Sequence, residues 1–483
     1  MPLSAYGPRG AAGASARAEP DDPTTAVSAS DAGVAGMAMP SPTRSPTVRS
    51  ERDVLGFVTR THFTTGPPGR VGVESEWFVV DDANPRAAVA LPRVRSLIDA
   101  GGPLPAGSTV TFEPGGQVEL STAPAAGSAQ AIDTLARDAW AVAARLRPAG
   151  LGLVAAGTDP LREPYRVLHE PRYAAMETFF DGQGDGPVGR AMMSTTAAVQ
   201  ICLDAGATPS DVAERWRLAN DLTPVLVAAF ANSPLHRGAP TGHRSTRMAF
   251  WQRLDPSRTR PPQGEDPVEA YARYALDARV MLCRRDDGAW LVDPGVTFRE
   301  WMAGALPSRP TEDDLAYHLT TLFPPVRARA WLELRVVDAL PLPWWPVAVA
   351  AGAALFDDPA CREVAAAAGA PVTGRLEQAI RLGTSDPPLR RAATACLEAA
   401  AAALRRDRGT SGLAGGVEAY LERFTARGRC PADDVLDAYR RGAPPWRAAT
   451  ASARPAPASI PIAPTPHSST PHSSTPHGEE EPA

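Results

Sequence analysis

Glutamate residues recur at alternate positions in segments that have the composition of β-strands. One segment contains Glu74 and Glu76, a second contains Glu119, and a third contains Glu333 and Arg335. Successive side chains of a strand point to opposite faces, so Glu74 and Glu76 share a face, roughly 7 Å apart at about 3.3 Å rise per residue. The positions between them are mostly apolar. We therefore predict strands with one packed face and one charged face.

Carboxylates grouped on a half-buried face repel one another and cost free energy unless cations lie among them. Oxygen ligands that leave room for water and phosphate suit Mg²⁺. A lone Glu-x-Glu pair is more often the solvent face of an edge strand. Here Trp77 and Phe78 follow the pair directly, and a second glutamate-bearing strand carries a Pro-Gly-Gly sequence. These neighbours favour a metal site.

The Pro-Gly-Gly sequence at residues 114–116 predicts a tight reversal of the chain. If Glu113 faces Gln117 across this reversal, then Glu113, Gln117 and Glu119 share one face. The alternative is a loop that leaves Glu113 in water. The shared face is favoured, because a pair of glycines also lets a ligand approach the backbone closely.

The chain contains no lysine, so all 49 of its basic residues are arginine. A phosphate-binding loop of the Walker type and a pyridoxal Schiff base both require lysine, and both are excluded. A protein of this composition that handles phosphate must use arginine and metal ions. The missing lysine itself is best explained by a GC-biased genome.

Several arginines lie beside aromatic residues or carboxylates in the sequence. Arg247 precedes Phe250 and Trp251, and Arg299 lies next to Phe298. Planar arginine in such surroundings often binds carboxylate or phosphate, although cation–π packing is an alternative. Arg335 is predicted to be either an ion-pair partner of a nearby glutamate or an anion clamp.

Residues 192–204 are predicted to form a strand whose Thr196, Ala198 and Gln200 share a small, polar face. Such a face suits contact with a ligand, although buried sheet positions have the same composition.

The overall composition narrows the class of protein. The hydrophobic content of 44% is ordinary for a soluble protein. The net charge is −5, so the overall charge gives no reason to expect binding to nucleic acid or to an acidic membrane. The five cysteines are scattered and form no Cys-x-x-Cys pair, which predicts reduced thiols in a cytoplasmic protein. No apolar run approaches the roughly 20 residues that span a bilayer, and no secretory signal is expected.

Low-complexity composition predicts disorder for residues 1–50 and for the Pro/Ser/His-rich residues 446–483, leaving a catalytic body at 51–445. The last segment contains three spaced histidines, for which a solvated tail is a better interpretation than a metal site. The predicted strands are 71–80, 109–121, 151–157, 192–204, 279–284 and 330–338, and the predicted helices are Ala125–Leu146, Asp211–Ala231 and a helical region at about 343–441. The predicted fold class is α+β, with a largely antiparallel sheet followed by helices.

At these residues the chain resembles the glutamate–cysteine ligases of the plant and bacterial type, and more narrowly the actinobacterial branch that supplies γ-glutamylcysteine for ergothioneine biosynthesis. The matching stretches occur in order along the body. They are Val71–Phe78, Thr111–Ser121, Met192–Asp204, Phe230–Pro234, Ser245–Trp251, Thr297–Met302 and Trp331–Pro341. The resemblance implies an antiparallel sheet curved into a half-barrel, as in glutamine synthetase and guanidino kinases.

The resemblance also implies ATP and Mg²⁺ as cofactors, L-glutamate and L-cysteine as substrates, and a γ-glutamyl phosphate that the cysteine amine attacks. The metal ligands it implies are Glu74, Glu76, Glu113, Glu119 and Glu333. It implies that Arg247 binds a substrate carboxylate and that Arg335 and Arg299 face phosphoryl oxygens. It also implies that Gln200 and Thr196 line the substrate site.

Three other interpretations stay open from the sequence. The first is a carboxylate–amine ligase of the same fold with a different amine substrate. It stays open because a pocket for a small thiol leaves no recognisable motif in the sequence. The second is a metal-dependent hydrolase that uses the same glutamates. The third is a protein that binds metal or nucleotide without catalysis. The sequence also leaves open the oligomeric state and which glutamate binds which ion.

Overall fold

The computed structural model describes residues 45–284 and 290–451. Most of the two segments predicted to be disordered, residues 1–44 and 452–483, lies outside the described residues, and so do the three spaced histidines of the tail. All five cysteines are described, and all are free thiols.

The folded body extends past both of its predicted ends. Residues 45–50 belong to it, because Val48 is fully buried and Ser50 caps the first helix by accepting a hydrogen bond from a backbone N–H in its first turn. Residues 446–451 belong to it as well, and Ala449 is buried. Apolar side chains anchor both short stretches in spite of their low-complexity surroundings.

The described residues contain twelve β-strands. In chain order they are β1 (Arg70–Asp81), β2 (Thr109–Phe112), β3 (Val118–Ser121), β4 (Ala125–Ala126), β5 (Leu151–Val154), β6 (Ala198–Asp204), β7 (Leu235–His236), β8 (Ala239–Pro240), β9 (Leu282–Arg284), β10 (Trp290–Val292), β11 (Val326–Ala328) and β12 (Trp331–Asp338).

Eight of these strands form one sheet built around β1. The order is β11-β12-β6-β1-β3-β2, with β4 and β5 paired to the two ends of β1, and every pairing is antiparallel. Within the described residues the sheet is open, since β11 and β2 form its two edges. The predicted antiparallel sheet is confirmed.

The helices lie before, between and after the strands. In chain order they are α1 (Glu51–Thr61), α2 (Leu91–Asp99), α3 (Ser128–Leu146), α4 (Pro171–Gly182), α5 (Gly186–Thr195), α6 (Pro209–Asp221), α7 (Thr223–Phe230), α8 (Thr246–Arg253), α9 (Pro256–Thr259), α10 (Pro267–Asp277), α11 (Phe298–Ala303), α12 (Glu312–Thr320), α13 (Trp344–Asp357), α14 (Pro359–Gly369), α15 (Leu376–Leu382), α16 (Pro387–Arg406), α17 (Ser411–Arg423), α18 (Pro431–Arg440) and α19 (Pro445–Ala448).

The C-terminal helical region is confirmed by α13 to α18. Helix α13 is apolar almost all round and buried along nearly its whole length, as expected for a helix inside a core. It packs with α7 and α3 against the sheet, where Val73, Ile201 and Leu334 are buried. In the part of the chain that is described, no helix is both long and apolar enough to cross a bilayer.

The strand predicted over residues 192–204 is wrong in its first third. Helix α5 continues through Thr195, and β6 begins only at Ala198. Met192 and Met193 pack into a cluster with the aromatic residues of α4, which stabilises the helix. This contact joins separate segments of the chain, so it could not be predicted from the sequence of residues 192–204 alone.

Two predicted helices also have different bounds. The helix predicted from Ala125 begins at Ser128, because Gly127 takes φ 89° and the two alanines before it pair with β1. The helix predicted over residues 211–231 is two helices, α6 and α7, and Pro224 stands in the first turn of α7, where a missing N–H is tolerated. Thr208, three residues before the predicted start of the helix at Asp211, caps α6.

Candidate active site

The antiparallel register brings the sequence-predicted glutamates to one face of the sheet. Residues directly opposite each other on neighbouring strands share a face. On this face Glu76 lies opposite Glu119, Glu74 opposite Gln200, and Glu333 opposite Arg327. The apolar alternate residues point to the other face and pack against the helices, so burial of the core fixes which way the glutamates point.

Three carboxylates converge at the junction of β1, β2 and β3. Oxygen atoms of Glu76, Glu113 and Glu119 all lie within 4.8 Å of one another. Glu113 reaches the group because its N–H donates to the Gln117 carbonyl oxygen at 2.9 Å, which closes the predicted reversal and places it beside Glu119. The amide group of Gln117 turns away and donates to the Thr196 carbonyl oxygen at 2.8 Å. We call Glu76, Glu113 and Glu119 the carboxylate triad.

Hydrogen bonds orient the carboxylates of the triad. Thr111 donates its hydroxyl to Glu119 at 2.6 Å. Glu76 accepts the backbone N–H of Ala198 at 3.0 Å and the amide of Gln200 at 3.4 Å. Glu76 and Glu119 are buried, whereas Glu113 is partly exposed. The triad therefore lies close to the surface of the sheet face, with one carboxylate open to a ligand.

Burial and mutual repulsion raise the pKa values of these acids. Burial is the larger cause for each, and it raises the pKa of Glu76 and of Glu113 to about 8 and that of Glu119 to about 7, with neighbouring glutamates adding to the rise. Glu74, one pleat away on β1, has its pKa raised to about 8 by burial and by the charges of Glu333 and Glu119. Four carboxyl groups that resist ionisation lie side by side, and a divalent cation would relieve that cost.

Glu333 differs from the other four glutamates because two arginines hold it. Arg327 on β11 donates from two nitrogen atoms to the two oxygens of Glu333, both at 2.9 Å, and Arg335 donates to one of the same oxygens. Burial raises the pKa of Glu333, but the charges of Arg327 and Arg335 outweigh that effect and lower it to about 2. Glu333 is therefore an ionised anchor for arginine side chains.

Arg335 links this anchor to the carboxylate triad. Its guanidinium donates to the Gln200 side-chain oxygen at 2.8 Å, and Gln200 in turn donates to Glu76. Its backbone carbonyl accepts a hydrogen bond from the buried guanidinium of Arg247 at 2.7 Å. Arg335 and Arg247 also line a small cavity of about 20 Å³ together with Trp251. Cationic groups and an apolar wall therefore adjoin the carboxylates.

Arg299 does not join the site. It lies in the first turn of α11, is partly exposed, and pairs with Asp277 at 2.7 Å and with Glu51 on α1. The prediction that it faces phosphoryl oxygens is not supported by this position, because its charge is paired with carboxylates on two other helices, α1 and α10. The sequence pattern, an arginine beside aromatics, does not distinguish such a surface ion pair from an anion clamp.

Thr196 lies close to the site, but its hydroxyl is turned away from it. The hydroxyl donates to the Met192 carbonyl oxygen at 2.5 Å within α5, and its backbone carbonyl accepts the amide of Gln117. Thr196 therefore positions the reversal that carries Glu113. This role follows from the helical conformation of residues 192–195, which the sequence prediction missed.

Sequence reasoning also missed Arg327, Thr111 and Asp338. Each lies within or next to a segment singled out above, and each occupies a face position once the strand register is known. Arg327 stands six residues before Glu333, on the other arm of a hairpin joined at residues 329–330. A search for charges opposite the glutamates across short hairpins would have found it.

Comparison with known proteins relates the chain to a family. The family profile described as glutamate-cysteine ligase family 2 matches residues 70–452. Glutamate–cysteine ligase EgtA of Mycolicibacterium smegmatis is 44% identical over 379 residues, which cover 77% of this chain and 88% of that protein. The chloroplastic glutamate–cysteine ligase of Brassica juncea is 34% identical over 243 residues, 48% of this chain and 46% of that protein.

Among solved structures, the glutamate–cysteine ligase of Francisella tularensis in complex with AMP covers 81% of this chain and 91% of its own length. Its sequence identity to this chain is 13% and its TM-score is 0.49.

Proposed function

This chain belongs to glutamate–cysteine ligase family 2, and we propose on that premise that its sheet face joins the γ-carboxyl group of L-glutamate to the amino group of L-cysteine with consumption of ATP. The observation that best supports this function is the carboxylate triad, with oxygen atoms within 4.8 Å, on the same face as Arg335 and Glu333. Phosphoryl transfer needs charge neutralisation and positioning more than covalent help from the protein, and this arrangement supplies both.

The proposed reaction has two steps. An oxygen of the glutamate γ-carboxylate takes the terminal phosphoryl group of ATP, which gives γ-glutamyl phosphate and ADP. The neutral amine of cysteine then attacks the acyl carbon, the carbon–oxygen bond to phosphate breaks, and the amine gives up a proton. The products are γ-glutamylcysteine, ADP and phosphate.

Mg²⁺ fits the donor set of the site. The triad offers three hard oxygen ligands near one point, and burial without a cation raises the pKa of each of them. We propose Glu76, Glu113 and Glu119 as ligands, with Glu74 beside them. When bound, Mg²⁺ would neutralise the charge of the triphosphate. Glu333 is proposed as a ligand only if an ion displaces Arg335 from the Glu333 side-chain oxygen that accepts its hydrogen bond.

The arginines are assigned by their position relative to the triad. Arg335 is held by Glu333 and Gln200, so its charge is fixed beside the carboxylates, where phosphoryl oxygens would lie. Arg247 is buried and lines the small cavity with Trp251, which suits a substrate carboxylate in water-poor surroundings. Gln200 contacts both Arg335 and Glu76 and would line the same site.

We further propose that the product feeds ergothioneine biosynthesis and that the reaction takes place in the cytoplasm. The five free thiols agree with a reducing compartment. A cell fraction in which the protein and its ATP-dependent activity occur together outside the cytoplasm would contradict this assignment.

The function is tested by supplying ATP, Mg²⁺, L-glutamate and single amino acids, and by measuring ADP release. We expect ADP only when glutamate and cysteine are both present. ADP release with another amine in place of cysteine would support the alternative carboxylate–amine ligase. Metal-dependent hydrolysis of ATP without glutamate would contradict the proposal and favour the hydrolase.

A further inference from the structure

Asp338 is a buried acid at the end of β12 that the proposed reaction does not use. Its side chain is 1% exposed. One carboxylate oxygen accepts the Asn232 N–H at 2.8 Å and the Ser233 hydroxyl at 2.6 Å, and the other accepts the Ser245 hydroxyl at 2.9 Å. Both oxygens are therefore occupied by donors from two separate loops.

These donors belong to the segments that follow α7 and precede α8. Ser245 is the N-cap of α8, where its hydroxyl accepts the Met248 N–H at 3.3 Å. Ser233 accepts the backbone N–H of Arg247 at 3.2 Å with the same hydroxyl that donates to Asp338. A single carboxylate thus fixes the first turn of the helix that carries Arg247.

The carboxylate also faces the guanidinium of Arg247 directly. The closest nitrogen of Arg247 lies 3.8 Å from an oxygen of Asp338, and another nitrogen donates to the Arg335 carbonyl oxygen at 2.7 Å. Both side chains are buried, so their attraction is little screened by water. The orientation of Arg247 is therefore set from one side by Asp338 and from the other by the backbone of β12.

Gly157 of the neighbouring loop packs closely against the Asp338 side chain. A Cβ atom on Gly157 would lie 2.4 Å from the Asp338 carboxyl carbon, so only glycine fits at this position of the neighbouring loop. The backbone of Gly157 pairs with Asn232 at 3.0 Å and Ala197 at 3.1 Å. The acid is enclosed by backbone whose own hydrogen bonds are satisfied.

We propose that Asp338 is a positioning residue that orients Arg247 towards the carboxylate of one amino-acid substrate. This inference rests on the proposed function, because it assigns Arg247 to a substrate. The same carboxylate connects Phe230–Pro234, Ser245–Trp251 and Trp331–Pro341, three segments that are distant from one another in the sequence. Asp338 touches no reacting atom and acts through the position of Arg247.

The test uses Asp338→Asn in the full chain. Asparagine keeps the size of the side chain but removes the charge facing Arg247, and its amide nitrogen cannot accept from the loop donors. We expect the KM for one amino acid, the one whose KM also rises in Arg247→Gln, to increase roughly 10- to 100-fold, while the KM for ATP stays within about twofold. In an Arg247→Gln background the effect of Asp338→Asn should disappear.

A purely structural role predicts different results. An equal fold-change of Asp338→Asn in the wild-type and Arg247→Gln backgrounds, or an equal rise in the KM values of ATP and both amino acids, would overturn the proposal. Asp357→Asn is the matched control, because Asp357 also pairs with a buried arginine, Arg215, at 2.9 Å, and that pair joins α6 to α13. We expect its KM values to stay at the wild-type level.

A second variant and the wild-type activity provide two further tests. If Asp338→Asn does not fold, Ser245→Ala removes one donor to Asp338 and is expected to raise the same KM by a smaller factor; unchanged KM values in that variant would contradict the proposal. If the wild-type protein releases no glutamate-dependent ADP, the proposed function fails, and that failure is seen before any variant is compared.

Discussion

The guanidinium of Arg327 and the carboxylate of Glu333 form two parallel hydrogen bonds, both 2.9 Å long, between neighbouring strands. The side chains are 9% and 1% exposed, so the ion pair is almost completely removed from water. Such two-point pairing is strong and directional. It separates Glu333 from the other glutamates of the face, because its arginines keep Glu333 ionised, whereas burial raises the pKa values of the others.

Breaking this pair should destabilise the protein. Arg327→Met removes the two-point partner of the buried Glu333 charge, and we expect a loss of about 3–5 kcal/mol in the free energy of unfolding. The measurement is urea unfolding without Mg²⁺. Adding Glu333→Leu to Arg327→Met should restore most of this loss, because the uncompensated charge is gone.

The matched control for the buried pair is Arg137→Met. Arg137 pairs with Asp133 at 2.9 Å on an exposed face of α3. We expect a change within about 0.5 kcal/mol. Equal losses in Arg137→Met and Arg327→Met would contradict the special weight given to the buried pair.

Loss of one triad carboxylate should strongly reduce turnover without unfolding the protein. Glu119→Gln keeps the hydrogen bond from Thr111 but removes a charge, and we expect kcat to fall by roughly 10²- to 10³-fold or more. Unfolding without Mg²⁺ should occur at the same or a higher urea concentration, since a repelling charge is removed. Glu363→Gln, an exposed position on α14, is the control and should retain wild-type kcat. Near-normal turnover of Glu119→Gln would remove it from the metal ligands.

The stability of the metal-free protein should fall as pH rises from about 5 to 8. Glu74, Glu76 and Glu113 have pKa values raised from 4.5 to about 8, and that of Glu119 is raised to about 7, so the folded state holds protons that the unfolded chain has released in this window. Glu333 acts in the opposite sense, but its lowered pKa makes its contribution complete above pH 5.

Mg²⁺ should oppose this pH dependence. Metal ligation requires ionised carboxylates, so the stabilisation by Mg²⁺ should increase between pH 6 and pH 8 and approach roughly 2.7 kcal/mol when the ion is at about 100 times its Kd. Thermal unfolding with and without Mg²⁺ at the two pH values measures both effects. A metal-free protein whose stability is flat or rises from pH 5 to pH 8 would contradict the assigned raised pKa values.

The reversal that carries Glu113 should not tolerate a side chain at Gly115. A Cβ atom there would lie 2.0 Å from the Ser194 carbonyl oxygen, so the loop or the end of α5 must shift. We expect Gly115→Ala to cost about 1–3 kcal/mol of stability and roughly 10- to 100-fold in kcat/KM. Gly374→Ala, where a Cβ atom meets nothing within 4 Å, is the control for both measurements. Wild-type kcat/KM in Gly115→Ala would contradict the close approach.

The strands and their charged face could be predicted because alternation of apolar and polar residues shows directly which face of a strand is buried. Val73 and Trp77 alternate with Glu74 and Glu76, and the structure places the two sets on opposite sides of β1. The reversal at residues 114–116 was predictable as well, because glycine permits the conformation, with φ 82° at Gly116.

Contacts between distant segments could not be predicted from local patterns. The helical conformation of Met192 and Met193 depends on packing with α4, and the pairing of Arg327 with Glu333 depends on the register of β11 with β12. The prediction for Arg299 is unsupported for the same reason. Its neighbours in the sequence are typical of an arginine that binds an anion, but in the structure it pairs with Glu51 and Asp277 on other helices. In each case the deciding partner lies far along the chain or across a hairpin.

Transfer of a phosphoryl group from ATP to the γ-carboxylate of glutamate, before the amide bond forms, is the reaction step that we propose for this sheet face. It is tested most directly with L-glutamate labelled with ¹⁸O in its γ-carboxyl group, incubated with ATP, Mg²⁺ and L-cysteine. The isotope content of the released phosphate is then measured by ³¹P NMR. We predict one ¹⁸O atom in each phosphate released, because the γ-carboxylate oxygen leaves with the phosphoryl group. Phosphate without the label would contradict the account.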